Sequence, residues 1–343
     1  MSSGPLRARG VLVVGDINVD ILARLEKFTG LGEDYLVPAL EPHCGGVGAN
    51  VALALARWGV SVRLLGCAGR DWFGDLALHF LERERIDISF VGRTDRALTG
   101  LFFIAVSADG QRTMFGSRGA NGLLTLTGAW ECLDGIRAVH LVGYSFLTPS
   151  AAQLSELLIE EARQRNLWVS LDVGMAPARQ IPQLVLQAAK KASMLFVSFE
   201  EAQALTGQRD KLDAFGALEE SAGPEVILKL GENGCLFRDE GQVGEAPAFR
   251  VSAVDTTGAG DAFAAAFLRA RLHGWSQPEA VLLANAAGAA AASVLGAGEV
   301  MPEPGKILSV LQLNHLADQW ESVRIRVLER LSKELASRDP GRS

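Results

Sequence analysis

The sequence predicts an α/β protein with a mostly parallel central sheet and helices on both faces. Three observations carry that expectation. Short apolar runs alternate with segments of helical period through most of the chain, as strands joined by crossover helices do. Several runs end in a polar residue, as in Gly15-Asp16, Leu171-Asp172 and Val197-Ser198, and strand ends are where open parallel sheets bind ligands. Near the C-terminus a polar, glycine-bearing loop beginning at Val254 runs straight into an alanine-rich helical stretch ending near Leu268.

Val11 to Gly15 is a continuous apolar run, expected of a strand buried on both faces. Asp16, Asn18 and Asp20 follow at once, either as solvated turn residues or as ligand acceptors. Leu22 to Leu40 alternates weakly around Gly30, Gly32 and Pro38 and reads as short strands and loops away from the main sheet. His43 to Asn50 leads into a helix reaching about Trp58. Gly46-x-Gly48 opens like a dinucleotide fingerprint, but Val51 stands where the third glycine belongs, so a nicotinamide-dinucleotide site is not expected. Val62 to Gly66 is a strand, and Gly69 to Asp75 a turn before a helix to about Arg83. Thr99 to Ser107 is a strand, Asp109-Gly110 a hairpin signal, and Arg112 to Phe115 its partner.

Ala138 to Gly143 is a buried strand, Pro149 to Arg165 an amphipathic helix, and Trp168 to Leu171 a strand closed by Asp172. Met194 to Val197 is the next strand. Ser198 with Glu201 three residues on has the spacing of a helix capping box. Glu225 to Leu230 and Gly234 to Arg238 are strands around the turn from Gly231 to Gly234. Pro278 to Val294 is an alanine-dense helix containing Asn285, and Lys306 to Ser337 is amphipathic and charged. The last residues, Ser337 to Ser343, read as a frayed end.

The chain has 343 residues, 48% of them hydrophobic, enough for a large core. No internal repeat or long linker divides it. The net charge of −7 argues against a general nucleic-acid partner. Cys44, Cys67, Cys132 and Cys235 have neither zinc nor disulfide-framework spacing, and no histidine pair suggests a metal. Neither a signal peptide nor a membrane span is expected, and the expected location is the cytoplasm.

The chemistry concentrates at Val254 to Leu268. Gly258 and Gly260 let the backbone come close to a ligand. The first-turn amides that follow have no intrahelical acceptors and lie at the positive end of the helix dipole, so they can hold an anion. Asp261 stands in that turn, either as a plain capping acid or, beside a bound phosphate, as a base for an attacking hydroxyl. Anion hole and base together are what phosphoryl transfer needs. No Gly-x-x-x-x-Gly-Lys-Ser/Thr string occurs, so a P-loop does not hold the phosphates.

The string Asp255-Thr256-Thr257-Gly258-Ala259-Gly260-Asp261 resembles the C-terminal signature of the ribokinase-like (PfkB) carbohydrate kinases. The early Gly15-Asp16-x-x-x-Asp20 and Gly45-Gly46-x-x-x-Asn50 segments match that family in the same order, and the resemblance covers nearly the whole chain. It implies a ribokinase-like three-layer sandwich: one kinase domain over 1–343, a small β lid from about 20–42 and 97–118, and a helical extension over 310–343. It also implies ATP-dependent phosphorylation of a sugar or sugar-like hydroxyl. Asp261 would be the base, with the amides of Ala259, Gly260 and Asp261 as the anion hole and Gly258 in the same catalytic loop. Asp16, Asp20, Gly45, Gly46, Asn50 and Asn121 would meet the acceptor. Ser198, Lys229, Gly231, Gly234, Thr256 and Asn285 would meet the nucleotide. Glu201 would hold Mg2+ through water, and Asp255 with Thr257 a monovalent cation such as K+. A homodimer through the lid is expected.

The chain departs from the family pattern at Ser198, where the family has asparagine, and after Asp172, where an asparagine is missing. Three alternatives stay open. A nucleoside kinase would share every catalytic residue. A phosphosugar kinase would need extra cations, for which Arg112 and Arg118 are the candidates, although arginines beside a hairpin are usually solvated. A non-catalytic, ligand-binding regulatory relative would have no need of Asp261.

Overall fold

The computed structural model describes residues 10–28, 30, 32, 34–108, 112–125, 130–222 and 225–338. The Asp109-Gly110 turn, the Arg112 side chain and both chain ends lie outside the described residues.

The first half contains β1 (Gly10–Val14), β2 (Asn18–Leu25), β3 (Leu40–Gly45), α1 (Val47–Arg57), β4 (Val62–Gly69), α2 (Trp72–Arg83), β5 (Asp87–Thr94), β6 (Gly100–Ser107) and β7 (Arg112–Ser117). There follow β8 (Ile136–Val142), α3 (Pro149–Gln164), β9 (Trp168–Asp172), α4 (Met175–Gln180), α5 (Pro182–Lys191), β10 (Met194–Ser198), α6 (Phe199–Thr206) and α7 (Lys211–Ala222). The last part holds β11 (Glu225–Lys229), β12 (Cys235–Asp239), β13 (Gln242–Ala246), α8 (Ala259–Leu272), α9 (Gln277–Ala292), α10 (Pro304–Leu313) and α11 (Asp318–Arg338).

Nine strands form the main sheet in the order β13-β12-β11-β10-β9-β8-β1-β4-β5, parallel except at the β11-β12-β13 edge. The expected parallel sheet is therefore present. β1 lies between β8 and β4, so the strand order reverses there, which marks the carboxyl edge beside β1 as the ligand crevice of such a sheet. All five residues of β1 are buried, as its unbroken apolar run requires. One core lies on the face covered by α1, α8 and α9. The other lies on the face covered by α3, α5 and α7.

A second sheet has the order β3-β2-β6-β7, with β2 and β6 parallel and both outer pairs antiparallel. It is built from the two separated segments expected of a lid, but it begins earlier, at Asn18, and its second segment runs from Gly100 to Ser117.

α8 and α9 are rich in alanine and pack closely against each other. A Cβ at Gly288 would stand 3.3 Å from the Ala259 carbonyl, so that glycine lets the start of α8 seat against α9. The charged C-terminal stretch is broken by residues 314–317 into α10 and α11. α11 lies on the body of the same chain: Val327 and Leu331 are in the core, Trp320 packs edge-on against Phe237, and Arg330 pairs with Glu279 at 2.8 Å.

Candidate active site

Gly258, the N-cap of α8, has φ 74°, a left-handed conformation that glycine adopts without strain. That turn aims the first amides of the helix outward. The Ala259 N–H donates to the Thr256 carbonyl at 3.2 Å, so the expected anion hole loses that donor. The Gly260 and Asp261 amides have no acceptor among the described residues and stay open to an anion. Thr256 contributes its carbonyl to the turn, and its side chain is exposed.

Asp261 is buried in the first turn of α8, and burial pushes its carboxyl up to about 7, with the Asn50 hydrogen bond and Lys229 opposing. Its Oδ2 accepts from Asn50 Nδ2 at 2.8 Å, and Asn50 Oδ1 accepts from the Gly298 N–H at 3.1 Å. The sequence places Asn50 at a substrate hydroxyl, but its amide is engaged at both ends and holds the Asp261 carboxyl.

Asp16, just past β1, was read as a bare hydroxyl acceptor. Both its oxygens instead receive the Arg118 guanidinium, Nε to Oδ2 and Nη2 to Oδ1, each at 2.8 Å. Such a fork on a carboxylate is strong and directional. Arg118 also donates to the Tyr144 carbonyl at 2.9 Å and sits over the Tyr144 ring, so it is not the solvated hairpin arginine expected. Asp20 has no hydrogen bond to its carboxyl among the described residues, and burial raises it to about 7. A Cβ at Gly45 would fall 2.1 Å from its Oδ2, so that glycine makes room for the acid. Gly46, at φ 92°, lies against the Asp16 carbonyl, where a Cβ would stand at 2.5 Å, so its close approach is to the chain itself. Asn121 was expected near the acceptor. It is 4% exposed and wholly committed: Oδ1 accepts from the Ile17 N–H, and Nδ2 faces the Ile17 carbonyl, Asn18 Oδ1 and the Arg118 carbonyl. It clasps the loop that carries Asp16.

On the other side of α8 three neighbouring strand ends meet. Ser198 of β10 is in register with Lys229 of β11, and β9 ends at Asp172. The Lys229 ammonium spans the end of β10 to reach Asp172, at 2.9 Å from Oδ1 and 3.1 Å from Oδ2. Burial alone would lower the pKa of this lysine, but Asp172, Glu201 and Asp261 together hold it above its usual value. A Cβ built on Gly260 would lie 3.4 Å from its Nζ, which places the cation at the mouth of the anion hole.

Ser198 closes a capping box: its Oγ accepts from the Glu201 N–H at 3.2 Å, and its own N–H donates to Glu201 Oε2 at 2.8 Å. Its hydroxyl acceptor is thereby used on the helix, and the expected phosphate contact falls to Lys229. Glu201 Oε1 has no hydrogen bond among the described residues, and burial raises this carboxyl despite the nearby Lys229. A hydrated Mg2+ on nucleotide phosphates fits that oxygen. No group of three or more His, Cys, Asp or Glu side chains among the described residues forms a direct metal cage.

Gly234 serves its own turn: φ is 85°, and a Cβ would stand 1.9 Å from the Ala246 carbonyl. Gly231, at φ 60°, faces open space and leaves the loop approachable. Asn285 was expected at the nucleotide base. Its Nδ2 donates to the Pro247 carbonyl at 3.0 Å, fastening α9 to the sheet edge. The Asp255 carboxylate accepts from Thr257 N–H and Oγ1 at 3.0 and 2.7 Å and from the Gly296 N–H at 3.0 Å. It stitches two loops together and offers little of itself to a cation.

The buried Asp261 carboxyl, the open Gly260 and Asp261 amides and the Lys229 ammonium lie around one crevice, an arrangement suited to phosphoryl transfer to a hydroxyl. The family model described as pfkB family carbohydrate kinase matches residues 8–304. The chain is 30% identical over 325 residues to aminoimidazole riboside kinase of Salmonella typhimurium, covering 90% of this chain and 96% of the relative. It is 31% identical over 287 residues to a probable fructokinase of Arabidopsis thaliana, covering 79% and 88%. The crystal structure of a ribokinase from Thermotoga maritima superposes with TM-score 0.74 at 29% identity, covering 88% of this chain and 99% of that one. The chain belongs to the pfkB family of carbohydrate kinases and is an ATP-dependent sugar kinase with the ribokinase fold.

Proposed function

We propose that the enzyme transfers the terminal phosphoryl group of ATP to a hydroxyl of a free sugar or a sugar-bearing nucleoside, with Asp261 as the base. The observation that carries this reading is Asp261 itself: buried, oriented by Asn50 and adjoining the free amides of Gly260 and Asp261. Asp20 offers the open carboxyl for acceptor hydroxyls, and the Asp16–Arg118 pair shapes the adjoining wall. Lys229 and the amides take the transferring phosphoryl group, and Glu201 orders water on Mg2+, which supplies charge neutralisation on the phosphates. Retention of the whole constellation speaks against a purely regulatory protein. A phosphosugar acceptor is disfavoured by Arg118, because its fork is already spent on Asp16.

ADP release is measured with Mg-ATP across sugars, sugar acids, phosphosugars and nucleosides. Turnover is expected with at least one unphosphorylated acceptor. Binding of ATP without turnover on any of them overturns the reading.

The small sheet carries exposed Leu40, Phe103, Met114 and Phe115, which supports a homodimer through that sheet. The molar mass in solution should be twice that of the 36.5 kDa chain, and a monomeric mass refutes it. Use of ATP and four cysteines without disulfide partners fit a reducing, cytoplasmic location.

A further inference from the structure

Residues 298–299 are gripped by two parts of the molecule at once. The Glu299 carboxylate accepts from the Cys44 N–H with both oxygens, at 3.0 and 3.2 Å, and its Oε2 lies 3.4 Å from His43 Nδ1. Gly298 presses on the other side of the same residue: with φ 64°, a Cβ there would stand 1.8 Å from the Cys44 carbonyl. Cys44 belongs to β3, the strand that roots the small sheet, and pairs with Val19 of β2. From below, Arg57 at the end of α1 donates to the Glu299 carbonyl at 2.6 Å and to the Met301 carbonyl. Gly298 also donates to Asn50, one step from Asp261.

We propose that Glu299 is a positioning residue, coupling the seating of the small sheet to the placement of the Asp261 base through Gly298 and Asn50. The inference rests on the reading of Asp261 as base. Movement of β3 over an acceptor is delivered through Cys44 to the 298–299 stretch. Asn50 and Arg57 both ride on α1, so the stretch cannot shift without altering the Asn50 amide that orients Asp261. A base set in place only when the acceptor is covered keeps the phosphoryl group from water. Nothing in the sequence pattern marks Glu299, which lies 255 residues from its partner Cys44.

The test is a double-mutant cycle with Asn50, on the full chain with its best acceptor. Glu299→Ala is expected to lower kcat about tenfold while the KM for ATP stays within about twofold, since base placement and not nucleotide binding is lost. Glu299→Gln keeps an acceptor for the Cys44 N–H and should recover most of that loss. In an Asn50→Ala background the Glu299→Ala effect on kcat should largely vanish, because both changes cut one chain. Additive effects, or an effect on acceptor KM alone, overturn the proposal. If the alanine variant does not fold, Glu299→Asp is carried through the same cycle; it keeps the charge and withdraws the carboxylate by one methylene. Loss of activity in Asp261→Asn with no coupling in the cycle would defeat this inference and leave the base assignment standing.

Discussion

Asp261→Asn is expected to lower kcat about a thousandfold, in the range of losing a positioned general base. The variant should fold and still bind ATP, because an asparagine carbonyl can accept the Asn50 hydrogen bond as Oδ2 does now. The wild-type profile tests the same assignment independently. Burial holds the Asp261 carboxyl at about 7. Only the ionised form takes a proton, so kcat should climb as pH rises through about 7 and level off above it. Steady-state ADP release between about pH 5.5 and 8.5 measures the limb. Turnover of the variant within tenfold of wild type, or a flat wild-type profile, removes Asp261 from the role.

Lys229→Met should have the next largest effect, a fall of roughly a hundredfold in kcat, comparable to losing one preorganised donor on developing charge. A second consequence separates electrostatics from simple misfolding. Lys229 opposes the burial that raises Asp261, so its removal should move the acid limb of the profile to higher pH. The substitution also leaves Asp172 buried and unpaired, which costs stability. Adding Asp172→Asn should restore thermal stability and leave turnover low. Recovery of turnover in the double variant would mean that Lys229 serves Asp172 and not the phosphoryl group.

The backbone plan was legible because it depends on local pattern. The apolar runs marked β1, β8, β9, β10 and β11, and the glycine string marked the start of α8. β5 escaped notice because it is half-buried along its length and lacks an apolar run. α7 escaped because its polar and apolar residues form no sharp stripe. At the site, residue types were readable and their partners were not. Arg118 meets Asp16 across 102 positions, where the small sheet is set against the end of β1, and Lys229 meets Asp172 across 57, through the order of β9, β10 and β11. Asn50 and Asn121 carry an asparagine's usual signal for binding, yet their amides are consumed inside the protein. Only tertiary structure distinguishes an amide that faces a ligand from one that faces its neighbours.

The terminal helix α11 begins beyond residue 304, where the family match ends, yet it reaches back to α8. Arg269 of α8 is wholly buried, lies between the Trp58 and Trp275 rings at 5.1 and 4.9 Å, and pairs with Glu334 of α11. Arg330 of α11 ties the start of α9 through Glu279. The far end of α8 is therefore fastened to the last described element, α11. Local fraying of α8 would have to break the tryptophan sandwich and the ion pair together. Its amide hydrogens should then exchange with solvent only through whole-molecule opening, the slowest route a protein has. The open Gly260 and Asp261 amides stand at the other end of this helix, so a phosphate held there would rest on a scaffold anchored from behind by the C-terminal segment.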